Sequence, residues 1–169
     1  MKYLIPAVAL GLLVSCGPKK EMTAQEVSEA FATMPQQTPG EWRSTIRVVS
    51  IDGPAVSAPE RTVVGVDTVS SLCVPTNSAR LDVSTLLNPR SYQDCKYYEA
   101  SASDTHFSFH RECNTVVPGE RLEVIVLRDS TPTTATETMT TILHVPGQNT
   151  PTTTKVEIAT ERTGACPAS

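Results

Sequence analysis

The sequence lacks the residue patterns on which common catalytic and cofactor sites depend. None of its serines stands in a G-x-S-x-G turn, and no glycine-rich phosphate-binding loop is present. Lysine and arginine total 14 against 18 acidic residues and form no basic stripe, which argues against a nucleic-acid-binding surface. We therefore expect a protein that is not an enzyme, carries no cofactor and has no nucleic-acid partner.

Closely spaced metal ligands are also missing. The cysteines form no C-x-x-C pair and no other close pair, so neither a structural zinc site nor a thioredoxin-like redox site is expected. The three histidines are His106, His110 and His144. His106 and His110 are separated by about 13 Å if their segment is a strand, which is too far for both to bind one ion. No metal site is expected.

No hydrophobic run is long enough to span a bilayer, which takes about 20 residues. The apolar run from Leu4 to Val14 follows Lys2 and ends in small residues, as in a secretory signal. Its end, Leu13-Val14-Ser15-Cys16, resembles the lipobox of bacterial lipoproteins. We predict that residues 1–15 are a lipoprotein signal peptide and that Cys16 becomes the acylated first residue. The alternative is an ordinary signal peptide followed by a coincidental cysteine.

Lipidation would place the protein at a membrane. Acyl chains such as palmitate on Cys16 would anchor it, since each buried CH₂ contributes about 0.8 kcal/mol. Gly17 follows the cysteine, and by analogy with Gram-negative lipoproteins this favours the outer membrane, facing the periplasm. Residues 16–22 would then be the lipidated cysteine and its tether. Residues 23–169 would form a single β-rich domain, which we expect to be monomeric.

The four cysteines beyond the signal peptide predict two disulfides, because even numbers of cysteines in exported chains usually pair. They are Cys73, Cys95, Cys113 and Cys166. Three pairings are open to them. Cys95 and Cys113 flank a segment that is symmetric about Asp104, so a hairpin folded at Asp104 would bring these two cysteines opposite each other. Cys73 is then left to pair with Cys166.

The remaining pattern predicts one helix followed by about seven strands. Thr23 and Glu26 form a capping box for a helix over residues 24–34. The strands are expected at 41–51, 61–68, 96–100, 105–112, 121–128, 134–144 and 153–162, with a short piece of strand at 71–74 and a brief helix at 81–87. No long helix separates the strands, which excludes parallel βαβ units. We expect a mainly β domain, a curved antiparallel meander in the form of an open barrel or half-barrel. The N-terminal helix would cover the strand at 122–127, which is apolar on both faces.

Two sets of side chains are candidates for a surface or a site. Alternating threonines on one strand favour a solvated β face, with a regular ice-binding surface as the rarer alternative: Thr134, Thr136, Thr138 and Thr140. Aromatic residues gather around the predicted hairpin: Trp42, Tyr97, Phe107 and Phe109. These aromatic residues are typical of a core, and they are also our candidates for lining an apolar ligand cleft in the concave face.

The spacing of several motifs resembles the bacterial family catalogued as domain of unknown function 3617. The shared features are Pro39-Gly40-Glu41-Trp42 at the start of the first strand, Cys73-Val74-Pro75, the cysteine-flanked hairpin and Gly164-Ala165-Cys166. The resemblance covers roughly residues 38–167. It implies an exported, mostly β domain with two disulfides, often made as a lipoprotein. It implies no activity and no catalytic residues.

Two functional hypotheses follow for a lipid-anchored cell-envelope protein. The first is a non-catalytic module that binds a small apolar or lipid ligand inside the curved sheet. The alternative is an envelope scaffold or accessory subunit that acts through protein–protein contacts. An interior cavity of roughly several hundred Å³ would favour the first, and a filled core with an exposed apolar patch would favour the second. A hydrolase would need polar side chains that converge in a cleft.

Overall fold

The computed structural model describes residues 21–33, 37–54, 56–75 and 92–167. Within these ranges the chain forms one seven-stranded antiparallel sheet and two short helices. The elements are α1 (Ala24–Ala32), β1 (Gly40–Asp52), α2 (Ala58–Arg61), β2 (Asp67–Val74), β3 (Gln93–Ala102), β4 (His106–Asn114), β5 (Arg121–Ser130), β6 (Thr134–His144) and β7 (Thr152–Gly164). The predicted signal peptide, Cys16 and the predicted helix at 81–87 lie outside the described residues.

The strand order is β2-β1-β7-β6-β5-β4-β3, and each strand is antiparallel to its neighbours. From β3 to β7 the chain is a meander. The β1–β2 hairpin adds to its far side, because β1 pairs with β7. In the described part of the chain the sheet stays open, with β2 at one edge and β3 at the other. This confirms the prediction of a mainly β, open antiparallel fold with an N-terminal helix.

One predicted strand is wrong. The valine-rich segment at 61–68 suggested a strand separate from that at 71–74, whereas α2 ends at 61 and one continuous strand, β2, follows from 67. The cause is local capping: the Ser57 hydroxyl accepts from the Glu60 amide, and the Glu60 carboxylate accepts from the Ser57 amide. Gly65, at a φ of +81°, then lets the chain reverse before β2.

The hydrophobic core lies between α1 and one face of β3, β4 and β5. It contains Val27, Phe31, Tyr97, Phe107, Phe109, Val124 and Val126. The capping box of Thr23 and Glu26 starts α1 as predicted, and Val27 and Phe31 point into the core. The helix lies over β3, and one face of β5 contributes Val124 and Val126 to the same buried cluster. The opposite face is less covered than expected, since Leu127 is 48% exposed.

Two disulfides tie the sheet together, and both have the expected pairing. Cys95–Cys113 joins β3 to β4, with the two Cα atoms 4.0 Å apart. Cys73–Cys166 joins the edge strand β2 to the segment that follows β7, with the Cα atoms 5.4 Å apart. In the described ranges, neither helix has the length and hydrophobicity needed to cross a membrane.

Candidate functional site

The aromatic residues that were candidates for an apolar cleft are packed in the interior. Tyr97, Phe107 and Phe109 are 6%, 2% and 1% exposed and lie beneath α1. The ring of Phe31 from α1 lies 4.0 Å, centroid to centroid, from that of Phe107. Trp42 is also buried, but it lies outside this cluster and donates its indole N–H to the Thr38 carbonyl at 2.9 Å. These four residues fill space in the core, and neither of the cavities considered below is lined by them.

A buried arginine stands at the end of the same aromatic face. The guanidinium carbon of Arg111 lies 5.9 Å from the centre of the Tyr92 ring and 6.0 Å from that of Phe109. Burial lowers the pKa of Arg111 and raises the pKa of Tyr97, its partner across the β3–β4 pair. Sequence analysis missed Arg111. The alternation along β4 already placed it on the same face as Phe107 and Phe109.

The opposite face of the sheet carries both histidines of β4, and each of them has its own carboxylate. The Nδ1 of His106 lies 2.9 Å from Asp129, and the Nε2 of His110 lies 2.7 Å from Glu123. His144 approaches the second oxygen of Glu123 at 3.7 Å. The segment that carries His106 and His110 is a strand, as predicted. Within the described residues, no three His, Cys, Asp or Glu side chains are grouped so that they could hold a metal ion.

A cavity of about 480 Å³ opens on this face, opposite α1. Its lining runs from Asp67 on β2 to His106 on β4 and includes residues of six strands. In a flat sheet those two strands would be about 24 Å apart, so the sheet curves toward this face. A second cavity, of about 320 Å³, continues over β1, β6 and β7. The open side of the half-barrel is therefore of mixed polarity, with Leu127 and Ala159 among its threonines and charged side chains, and the side under α1 is filled by the core side chains described above.

Paired charges and threonines line the concavity. Arg47 holds Asp67 through two hydrogen bonds of 2.6 and 2.9 Å, which lower the pKa of Asp67. Of the alternating threonines, Thr134 and Thr136 are exposed, and Thr138 is half-buried. The threonine row thus lies inside the concave face. Among the described residues that line the two cavities there is no Phe, Tyr or Trp, and the charged neighbours Arg47 and Asp67 are bonded to each other.

The edge strand β2 exposes apolar side chains. From 67 to 73 every residue of β2 is exposed, on both faces of the sheet. Of the eight large hydrophobic residues that are exposed in the described ranges, five lie on β2 or just before it. They are Val63, Val64, Val66, Val69 and Leu72, and we call them the β2 patch. Leu72, at 69%, is the most exposed member.

The other edge of the sheet is partly covered. The Met22 amide donates to the Tyr97 carbonyl at 2.7 Å, so the segment before α1 forms a bridge to β3. Irregular pairing bends β3 between Gln93 and Lys96 and again between Tyr97 and Glu99. Asp94, within the first irregularity, adopts a positive φ of 48°. Bulges, a lysine and a covering segment are the devices that prevent further strand pairing at an edge.

The fold and these surfaces define a small β protein built on one open sheet, with a filled interior, a concave face of mixed polarity and two disulfides. The chain belongs to the family described as protein of unknown function (DUF3617), whose model matches residues 37–166. This confirms the resemblance drawn from the Pro39–Trp42 motif and the cysteine order. No curated protein and no solved structure matches the chain.

Proposed function

We propose that this protein is a lipid-anchored component of the cell envelope that acts through protein–protein contacts and has no catalytic activity of its own. The observation that carries the proposal is the β2 patch, which gathers five exposed aliphatic side chains on one edge of the domain. Exposed apolar patches on otherwise polar domains mark interaction sites, because leaving them in water is unfavourable. The partner in this proposal is another protein of the envelope.

The filled interior favours a function through protein contacts rather than the binding of an apolar ligand inside the domain. Phe107 and Phe109 are almost fully buried against α1, and the space between helix and sheet is occupied by protein side chains. The cavities on the concave side are lined by threonines and charged side chains together with Leu127, Ala135 and Ala159. The apolar-ligand hypothesis stays a prediction, and a lipid-sized molecule that copurifies with the domain would support it.

The membrane anchor in this proposal is Cys16, and the support for it is the N-terminal sequence. Replacement by serine removes the acceptor sulfur, so we expect Cys16→Ser to leave the membrane pellet and enter the soluble fraction. Fractionation followed by intact-mass measurement checks this, with acyl chains seen on the wild type alone. Retention of Cys16→Ser in the pellet, or a wild type without acyl chains, would refute lipid anchoring. Density-gradient separation of the two membranes tests the outer-membrane assignment.

Site-specific photocrosslinking in intact bacteria tests the protein-contact proposal. A photoreactive residue at Val66, within the β2 patch, should capture one discrete protein. Val116 is the matched control, because it is also an exposed valine and lies in the β4–β5 turn, outside the patch. Leu72→Asp should abolish the Val66 crosslink. Identical crosslinks from both positions, or none from Val66, would overturn the proposal.

A further inference from the structure

We propose that the partner binds by strand addition: an extended, uncharged segment of another envelope protein pairs with β2 and becomes the next strand of the sheet. This inference rests on the proposed function and specifies how the contact is made. Such binding takes its affinity from main-chain hydrogen bonds and its specificity from alternate side chains. It therefore requires an edge with unpaired backbone groups, no obstacle to pairing and suitable neighbouring side chains.

The hydrogen bonds of β1 show which β2 groups face outward. The Gly65 amide donates to the Val48 carbonyl at 2.8 Å, so the backbone of Val48 points toward the β2 side. Backbone groups alternate along a strand, and β1 and β2 pair without a register shift from 40 to 47. The even-numbered residues of β1 thus bond to even-numbered residues of β2. The amides and carbonyls of Val69, Ser71 and Cys73 consequently point away from β1.

Nothing in the sequence of β2 blocks a further strand. The segment from 67 to 74 contains no proline and no lysine, and its pairing with β1 is free of bulges. Proline, lysine and bulges are the features that usually protect an edge strand from further pairing. The β3 edge, in contrast, pairs irregularly with β4 at two places. It also contains Lys96 and is bridged by Met22. Within the described part of the chain, this contrast between the two edges singles out β2 as the open one.

The charges of β2 indicate the chemistry of the partner segment. Asp67 is the single charged residue of the strand, and it is bonded to Arg47. A charged side chain on the incoming strand would find no opposite charge on residues 68 to 74. Val69 and Leu72 lie on opposite faces, because side chains alternate. An uncharged segment with apolar residues on both faces therefore fits this edge.

Ser71→Pro tests strand addition directly. Because the Ser71 amide points away from β1, proline there removes a donor to the partner without removing a β1–β2 hydrogen bond. We expect the variant to fold, form both disulfides and lose the Val66 crosslink at least about tenfold, as expected for a lost interfacial hydrogen bond and a steric block. Ser71→Ala is the matched control and should crosslink like the wild type. Ser71→Lys, which protects an edge without proline, should behave like Ser71→Pro even if the latter folds poorly.

The outcomes separate the inference from the proposed function. If both Ser71→Pro and Ser71→Lys fold and keep the crosslink while Leu72→Asp loses it, the patch binds through side chains. Strand addition then falls and the protein-contact proposal stands. If wild type gives no crosslink at Val66, both fall. A crosslinked product of twice the chain mass would identify a second copy and overturn the assignment of a different protein.

Discussion

At the scale of single residues, Phe109 is the largest fully buried side chain in the described part of the chain. It is 1% exposed, and its ring lies about 6 Å from those of Phe31, Tyr97 and Phe107. We predict that Phe109→Ala lowers the free energy of unfolding by about 3–5 kcal/mol, the usual cost of such a cavity. Val116→Ala, at an exposed position, should change it by less than about 0.5 kcal/mol. Urea denaturation measures both, and similar small losses would contradict a packed core.

Tyr97 links the same core to pH. Burial raises the pKa of its phenol, so the unfolded chain loses this proton at lower pH than the folded protein does. The stabilisation is complete below the unfolded pKa of about 10 and is lost as the pH rises through the folded value. We expect Tyr97→Phe to lose less stability than wild type between about pH 9 and 11. Equal losses in urea titrations across that range would argue against a buried, neutral Tyr97.

Some residue-level features could be read from the sequence and others could not. The Thr23–Glu26 capping box and the Cys95–Cys113 pair depend on neighbours within a helix turn or one hairpin, and both are present. The aromatic residues were expected to be either core or cleft. Whether they form a core or a cleft depends on whether α1 fills the space above them. The packing of α1 on these aromatic residues joins positions that are far apart in the chain. The position of Arg111 was readable from alternation, but its burial was not.

At the scale of elements, two helices have the same cap but different packing. Thr23 and Ser57 each begin a capping box, yet α1 buries Val27 and Phe31 whereas α2 buries no residue. We predict that Thr23→Ala lowers the free energy of unfolding by about 1 kcal/mol. Ser57→Ala should leave it within about 0.5 kcal/mol of wild type, since loss of α2 leaves the core intact. Equal effects of the two substitutions on urea unfolding would show that α1 does not hold the core.

The strands with clear alternation were predicted well, and the segment next to β2 was not. The bounds expected for β6 are those observed, 134 to 144. Before β2, valines gave a strand signal while Ser57 and Glu60 gave a helix signal, and the local cap prevailed. Strand order was beyond reach of the sequence, because β1 meets β7 across more than a hundred residues. That pairing is what leaves β2 at an edge.

At the scale of the whole molecule, the two disulfides close loops of very different length. Cys95–Cys113 spans 18 residues and Cys73–Cys166 spans 93. Loop entropy assigns about 3 kcal/mol to the short loop and about 4.6 kcal/mol to the long one. We therefore predict that alanine at both Cys73 and Cys166 destabilises the protein more than alanine at both Cys95 and Cys113. Urea unfolding of the two variants ranks them, and the reverse order would show that hairpin geometry outweighs loop length.

The proposed anchor at Cys16, the filled domain and the open β2 edge would suit a protein that holds another protein at a membrane. Native mass spectrometry of the full-length protein, extracted from bacterial membranes in mild detergent, tests this description most directly. We predict an acylated chain that lacks four hydrogens, two for each disulfide, in complex with one different polypeptide, and a complex that Ser71→Pro dissociates. A solitary chain that carries a lipid-sized molecule bound to its domain would contradict this and return the function to small-ligand binding.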